Sequence, residues 1–188
     1  MRIAVVTGNP KPASRTHGVA LAVADVLAAE LARPAVPAEA PAVPAEAPAV
    51  PAEAPAHLVV DLAEHAPSLF DWSAAELSRL TAEVAAADVT VFASPTYKAA
   101  YTGMLKAFLD RYGNNGLAGT VAVPVMTGGW PGHLLAVEVH LRPVLVELGA
   151  TVPARGLYVT EPEFGNLDTA IAKWAESAIP LIRRALTP

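Results

Sequence analysis

Cysteine is absent from all 188 residues, which excludes disulfide scaffolds, thiolate metal sites and thiol redox chemistry. That absence fits a reducing compartment. Basic residues are scarce: 13 Lys and Arg stand against 18 Asp and Glu, a formal charge of −5, with no basic cluster to offset it. Such a balance argues against non-specific binding of nucleic acid. No uninterrupted apolar run is long enough for a bilayer-spanning helix. Met1-Arg2-Ile3-Ala4-Val5-Val6 lacks the long apolar region and cleavage site of a signal peptide and reads as a first strand. A cytoplasmic protein that engages no membrane is expected. The five His are scattered without metal-ligand spacing, so metal catalysis is not expected. Neither GxGxxG nor the Gly-Lys-Ser/Thr of a P-loop occurs.

What is present suits a single domain over 1–188. Ala inflates the hydrophobic share of 53%, yet the Val, Leu and Ile of the strand-like runs suffice for one core. Ile3–Thr7 is a short continuous apolar strand, the kind buried on both faces of a parallel sheet. Gly8–Ser14 is a loop, and Ser14 caps a helix from Arg15 to about Leu31, with Val19, Val23, Val26, Leu27 and Leu31 on its apolar side. A second strand follows at Leu58-Val59-Val60. The pattern Ser73-Ala74-Ala75-Glu76 predicts a capping box opening a helix from Ser73 to Ala87. Further strands are predicted at Asp88–Ser94, Thr120–Met126 and Thr151–Val159, and helices at about Thr102–Tyr112, Gly132–Leu148 and Leu167–Leu186. Alternating strands and helices imply parallel crossovers and a sheet covered on both faces.

One segment stands apart. Residues 34–40, 41–47 and 48–54 each read Pro-Ala-Val-Pro-Ala-Glu-Ala, closed by Pro55. A seven-residue period invites a coiled coil, but two prolines per copy forbid a continuous helix. The reading is a surface insertion at about 33–56, partly polyproline II, that interrupts a helix-to-strand connection and leaves the core intact.

In a doubly wound sheet of order 2-1-3-4-5, ligands bind outside the carboxyl ends of the strands where the order reverses. Three loops converge there, and they are the least ordinary in the chain. Gly8-Asn9-Pro10-Lys11-Pro12-Ala13-Ser14-Arg15-Thr16 joins a strand to a helix N-terminus, where free amides, two hydroxyls and Arg15 suit a terminal phosphate. Pro95-Thr96-Tyr97-Lys98-Ala99-Ala100-Tyr101-Thr102-Gly103-Met104-Leu105-Lys106 carries aromatic faces, backbone amides and a cation out of a buried strand. Thr127-Gly128-Gly129-Trp130-Pro131-Gly132-His133 has paired glycines that let backbone approach a flat ligand.

The Tyr-Lys-Ala-Ala-Tyr-Thr-Gly-x-Leu-Lys run at 97–106, joined to Thr127-Gly128-Gly129 and His133-Leu134-Leu135-Ala136-Val137, resembles the NAD(P)H-dependent FMN reductases. The likeness is strongest to the branch that supplies reduced flavin to sulfonate monooxygenases, and Arg142-Pro143-Val144-Leu145 extends it. The first loop is similar to that family's Gly-Ser-x-Arg-x-x-Ser phosphate loop, with Asn9 in place of Ser and Lys11 standing in for the first basic residue. The resemblance implies a flavodoxin-like fold and FMN held by Asn9, Lys11, Ser14, Arg15, Thr16, Pro95, Thr96, Tyr97, Lys98, Thr127, Gly128 and Gly129. Tyr97 then packs beside the ring system, and Lys98 either favours an anionic reduced flavin or points to solvent. Tyr101 stands open between a subunit interface and the rim of the site. The resemblance also implies NADPH or NADH as hydride donor, a homodimer or homotetramer, and a flavin-dependent monooxygenase as recipient.

Hydride passes directly from nicotinamide to flavin, so no general base is required, and no catalytic dyad is evident among the acids. Glu147, Glu161, Glu163 and Asp110 read as solvated or capping acids. Three other readings remain open. One is an oxidoreductase of quinones or azo dyes with tightly held FMN, and another is a non-enzymatic flavodoxin-like electron carrier. The last is a binding module whose Pro-rich arm contacts a partner.

Overall fold

The computed structural model describes residues 1–34 and 57–187. Five strands, β1 (Ile3–Thr7), β2 (Leu58–Asp61), β3 (Val89–Pro95), β4 (Val121–Gly128) and β5 (Leu157–Thr160), form one parallel sheet in the order β2-β1-β3-β4-β5. This is the flavodoxin-like order expected above. The central strands β1 and β3 are buried along their whole length, as continuous apolar runs in a parallel sheet should be.

Alternate residues feed two cores. Ile3, Val5, Val89, Val91 and Val123 pack beneath α1 (Arg15–Ala32) and α5 (Leu167–Leu186). Ala4, Val6, Phe92, Ala122 and Met126 pack beneath α2 (Ala75–Ala85), α3 (Gly103–Leu109) and α4 (Arg142–Glu147). In α1, Val19, Val23 and Leu27 are buried, while Val26 and Leu31 flank the core half-buried. Apart from Pro34, the three-copy repeat lies outside the described residues. Among the described residues no helix is long and apolar enough to cross a membrane.

Three expectations need correction. The capping box at Ser73 does not form, because both the amide and the hydroxyl of Ser73 donate to Asp71 Oδ1, at 2.9 and 2.6 Å. Those bonds hold the Asp71 carboxyl below its usual range, and α2 starts later, behind Ala74, without a side-chain cap. Asp competes with helix for local backbone donors, and here it wins.

The helix expected over 132–148 is broken into a 3₁₀ turn at Pro131–His133, a π turn at Val137–Leu141 and the short α4. Pro143 has no N–H to give to residue 139, and its ring crowds that carbonyl. The chain widens ahead of it, so that Arg142 N–H donates to Val137 O.

The last strand begins at Leu157 rather than Thr151. Thr151 makes only an isolated bridge to Val121, and Pro153 then removes a ladder donor. Arg142 takes over this stretch: its guanidinium donates to Val152 O at 2.6 Å and to Ala154 O, while Glu138 Oε1 accepts Gly156 N–H at 2.6 Å.

Candidate active site

The strand register places Thr7 beside Asp61 and Ala93, Pro95 beside Thr127, and Gly128 beside Thr160. The loops leaving β1, β3, β4 and β5 therefore rise from the same edge of the sheet. They enclose a cleft of about 310 Å³.

The first loop is tied down from inside. Asn9 Oδ1 accepts Lys11 N–H at 2.9 Å, and Asn9 Nδ2 donates to Thr16 Oγ1 at 3.2 Å. Thr16 Oγ1 lies 2.7 Å from Thr127 Oγ1, joining the first turn of α1 to the end of β4 through two buried hydroxyls. Ser14 caps α1 as expected, accepting His17 N–H at 3.2 Å. The amides of Arg15 and Thr16 then belong to the open first turn, which favours an anion.

Ala13, just before the cap, sits in the left-handed region at φ 48°. Its N–H is held by Asp61 Oδ2 at 2.9 Å, across from the end of β2.

In the second loop, Thr96 N–H donates to Thr127 O at 2.7 Å, locking the exits of β3 and β4 together. Tyr97 to Ala100 close a tight turn with Lys98 and Ala99 at φ 51° and 65°. Thr102 Oγ1 donates to Gly8 O at 2.6 Å while accepting Leu105 N–H, so one hydroxyl caps α3 and pins the first loop.

Eleven of the twelve residues expected at the site line this single cleft; Lys98 does not. It stands exposed on the tip of the turn. Tyr101 is half-buried against the α2–α4 core and does not line the cleft, and neither does His133, which stacks edge-on against Trp130 at 4.9 Å. Burial pushes the Tyr112 phenol upward and keeps it neutral, at the far end of α3.

Two residues of the lining, Glu161 and Phe164, come from the loop after β5. Arg15 bonds Glu161 Oε1 at 2.6 Å and lies 4.8 Å above the Phe164 ring. Their signal was positional: they follow directly on the strand beside β4, at the ligand-binding edge of such sheets.

Among the described residues, one polar group of the lining is left without a partner in the chain. Thr96 Oγ1 is buried in the lining with no partner, a group that calls for a bond from outside the chain. Gly128 itself packs against the Tyr158 side chain, where a Cβ would meet Oη at 2.1 Å and Cζ at 3.0 Å. A larger apolar groove of about 580 Å³ between α1 and α5 offers no such convergence of donors. Among the described residues no cluster of three or more His, Asp or Glu is placed to hold a metal ion.

The chain is similar to several known proteins. The described architecture is similar to a solved NADH:FMN oxidoreductase (EmoB) in its apo form, with TM-score 0.76, 29% identity, and 99% of this chain and 90% of that one covered. The sequence is 40% identical to an FMN reductase (NADPH) of Escherichia coli (strain K12) over 87 residues, 46% of either chain. It is 29% identical to the NADH-dependent FMN reductase SfnF of Pseudomonas putida over 164 residues, 87% of this chain and 80% of that protein. The chain spans about half the length of the Escherichia coli relative it matches. Residues 1–163 match the model of the NADPH-dependent FMN reductases, a stretch that takes in every loop of the cleft but the end of the last. On that match, the chain belongs to the NADPH-dependent FMN reductase family.

Proposed function

We propose that this chain transfers hydride from NADPH or NADH to FMN and releases the reduced flavin to a partner flavin-dependent monooxygenase. The observation that carries the reading is the convergence of the β1, β3 and β4 loops on one cleft, with an open helix N-terminus at one side and an unpartnered Thr96 hydroxyl in the lining.

Asn9, Lys11, Ser14, Arg15 and Thr16 would hold the FMN phosphate. Pro95, Thr96, Tyr97, Thr127, Gly128 and Gly129 would border the ring. FMN supplies the electron-accepting N5, to which the nicotinamide gives its hydride, and a proton from solvent completes the reduction. The protein's share is orientation: the Thr16–Thr127 and Thr96–Thr127 bonds fix the walls before any ligand arrives. Lys98, outside the lining, is assigned to solvent. The relatives' names divide between NADPH and NADH, so either donor is retained.

A cytoplasmic homodimer or homotetramer completes the reading. Its support is the exposed apolar series Trp130, Leu134, Leu135, Val139 and Val146 along one segment, a natural contact for a second copy.

The test is purification without added flavin, then NADPH and NADH oxidation with and without FMN. Turnover that requires and saturates with added FMN is expected. A yellow protein that keeps its FMN and reduces quinones or dyes would move the assignment to a bound-flavin oxidoreductase. Bound flavin without nicotinamide oxidation would leave an electron carrier. Deleting residues 34–54, between α1 and β2, is expected to preserve that turnover; a folded deletion variant without it would overturn the reading of the repeat as an insertion.

A further inference from the structure

We propose that Glu161 is a specificity-determining residue that competes with the flavin phosphate for Arg15, and so keeps phosphorylated flavin exchangeable. The inference rests on the assignment of the first loop to the flavin phosphate.

Arg15 is the first residue of α1, the point from which a side chain best reaches an anion at that helix end. Yet its guanidinium is already engaged: one nitrogen bonds Glu161 Oε1 at 2.6 Å, and its carbon lies 4.8 Å over the Phe164 ring. The other carboxylate oxygen, Oε2, is turned toward the opposite wall, 3.5 Å from where a Cβ on Gly129 would stand. Glu161 thus lies between the phosphate loop and the glycine loop.

Its backbone position is set in advance. Thr160 N–H and Oγ1 both donate to Glu163 Oε2, at 2.7 and 2.6 Å, and Pro162 follows at the head of the 3₁₀ turn. The carboxylate is therefore presented to Arg15 by a capped turn.

A carboxylate and a phosphate are equivalent acceptors for a guanidinium fork. When phosphate enters, it must either displace Glu161 from Arg15 or share the arginine beside a second anion. Both routes weaken the hold on the phosphorylated ligand, and neither touches a ligand without phosphate. Phe164 holds the arginine in place during the exchange, since a cation–π contact does not depend on which anion the guanidinium bonds. A site built this way releases FMN readily, as a carrier of flavin to another protein requires.

The test is Glu161→Gln, read by the Kd of FMN and of riboflavin from flavin fluorescence, alone and with Arg15→Ala. Glu161 is half exposed, and its amide isostere leaves the fold undisturbed. FMN is expected to bind about 3- to 10-fold tighter in Glu161→Gln, with riboflavin unchanged, and the gain should shrink at high salt. In the Arg15→Ala background the same substitution should give less than half of that gain. Unchanged FMN affinity, an equal gain for riboflavin, or an undiminished gain without Arg15 would each overturn the inference. Arg15→Ala alone separates the two levels: equal losses for FMN and riboflavin would remove the phosphate assignment itself. A selective FMN loss there, with no effect of Glu161→Gln, would remove only the competition.

Discussion

Gly8→Ala is expected to destabilise the protein by about 1–3 kcal/mol, the cost of overpacking a closed contact, and to weaken flavin binding. A Cβ at Gly8 would stand 2.4 Å from Leu105 Cβ, 2.9 Å from Leu105 Cα and 3.1 Å from Leu105 N. Two of those atoms are the backbone of α3, so no side chain can swing away to make room. Nor can the loop retreat. Gly8 N–H is held by Ala93 O at 2.8 Å, and Gly8 O accepts the Thr102 hydroxyl at 2.6 Å. Moving Gly8 would break the bond through which Thr102 also caps α3. For a chain of this size, Tm should fall by about 2–4 °C for each kcal/mol lost. Gly18→Ala is the matched control. Gly18 lies exposed inside α1 with nothing within 4 Å of the added carbon, so a gain of about 0.5–1 kcal/mol is expected there. Thermal melts of the two variants moving in the same direction would refute the packing argument.

The contrast between these glycines marks what is legible in a sequence. Both are Gly near the same helix, and only the approach of α3, brought in from nearly a hundred residues away, separates them. Local signals read well: the apolar run Ile3–Thr7, the Ser14 cap and the Leu167–Leu186 helix all stand where pattern placed them. They are decided within a few residues by periodicity and capping chemistry. Where two local signals competed, pattern failed, as when Asp71 took the donors that a capping box at Ser73 needed. The π turn before Pro143 failed for another reason, since proline's effect on the preceding turn can be met in more than one way.

The cleft was legible because the strand order alone brings its loops together, whatever their side chains. Phe164 and Asp61 were not singled out, and Glu161 read as a solvated or capping acid although it lines the cleft. An acid after a strand looks the same whether it faces water or holds another loop, and only the partner across the sheet decides.

Asp61→Ala is the variant that makes that point measurable, with an expected loss of about 1.5–3 kcal/mol in stability and a larger loss for FMN than for riboflavin. The carboxylate ends β2 and is only 6% exposed. It does not line the cleft, so its effect on the flavin must pass through the first loop. Both its oxygens are spent on backbone, Oδ2 on Ala13 N–H at 2.9 Å and Oδ1 on Ala63 N–H at 3.2 Å. Ala13 occupies the left-handed region at φ 48°, a conformation that costs a residue with a Cβ about 1–2 kcal/mol. The bond to Asp61 is what offsets that cost. Without it Ala13 relaxes toward negative φ, and the turn that presents Ser14, Arg15 and Thr16 to the cleft rotates with it. Riboflavin, which carries no phosphate, should feel this far less than FMN. Asp61→Asn grades the effect, because an amide offers one acceptor where two N–H groups need one each. The FMN-to-riboflavin affinity ratio should therefore fall from the native protein to Asn and again to Ala. An unchanged ratio in a folded Asp61→Ala protein would mean that the loop keeps its shape unaided, and that the strain at Ala13 is borne by the loop's own bonds through Asn9 and Thr16.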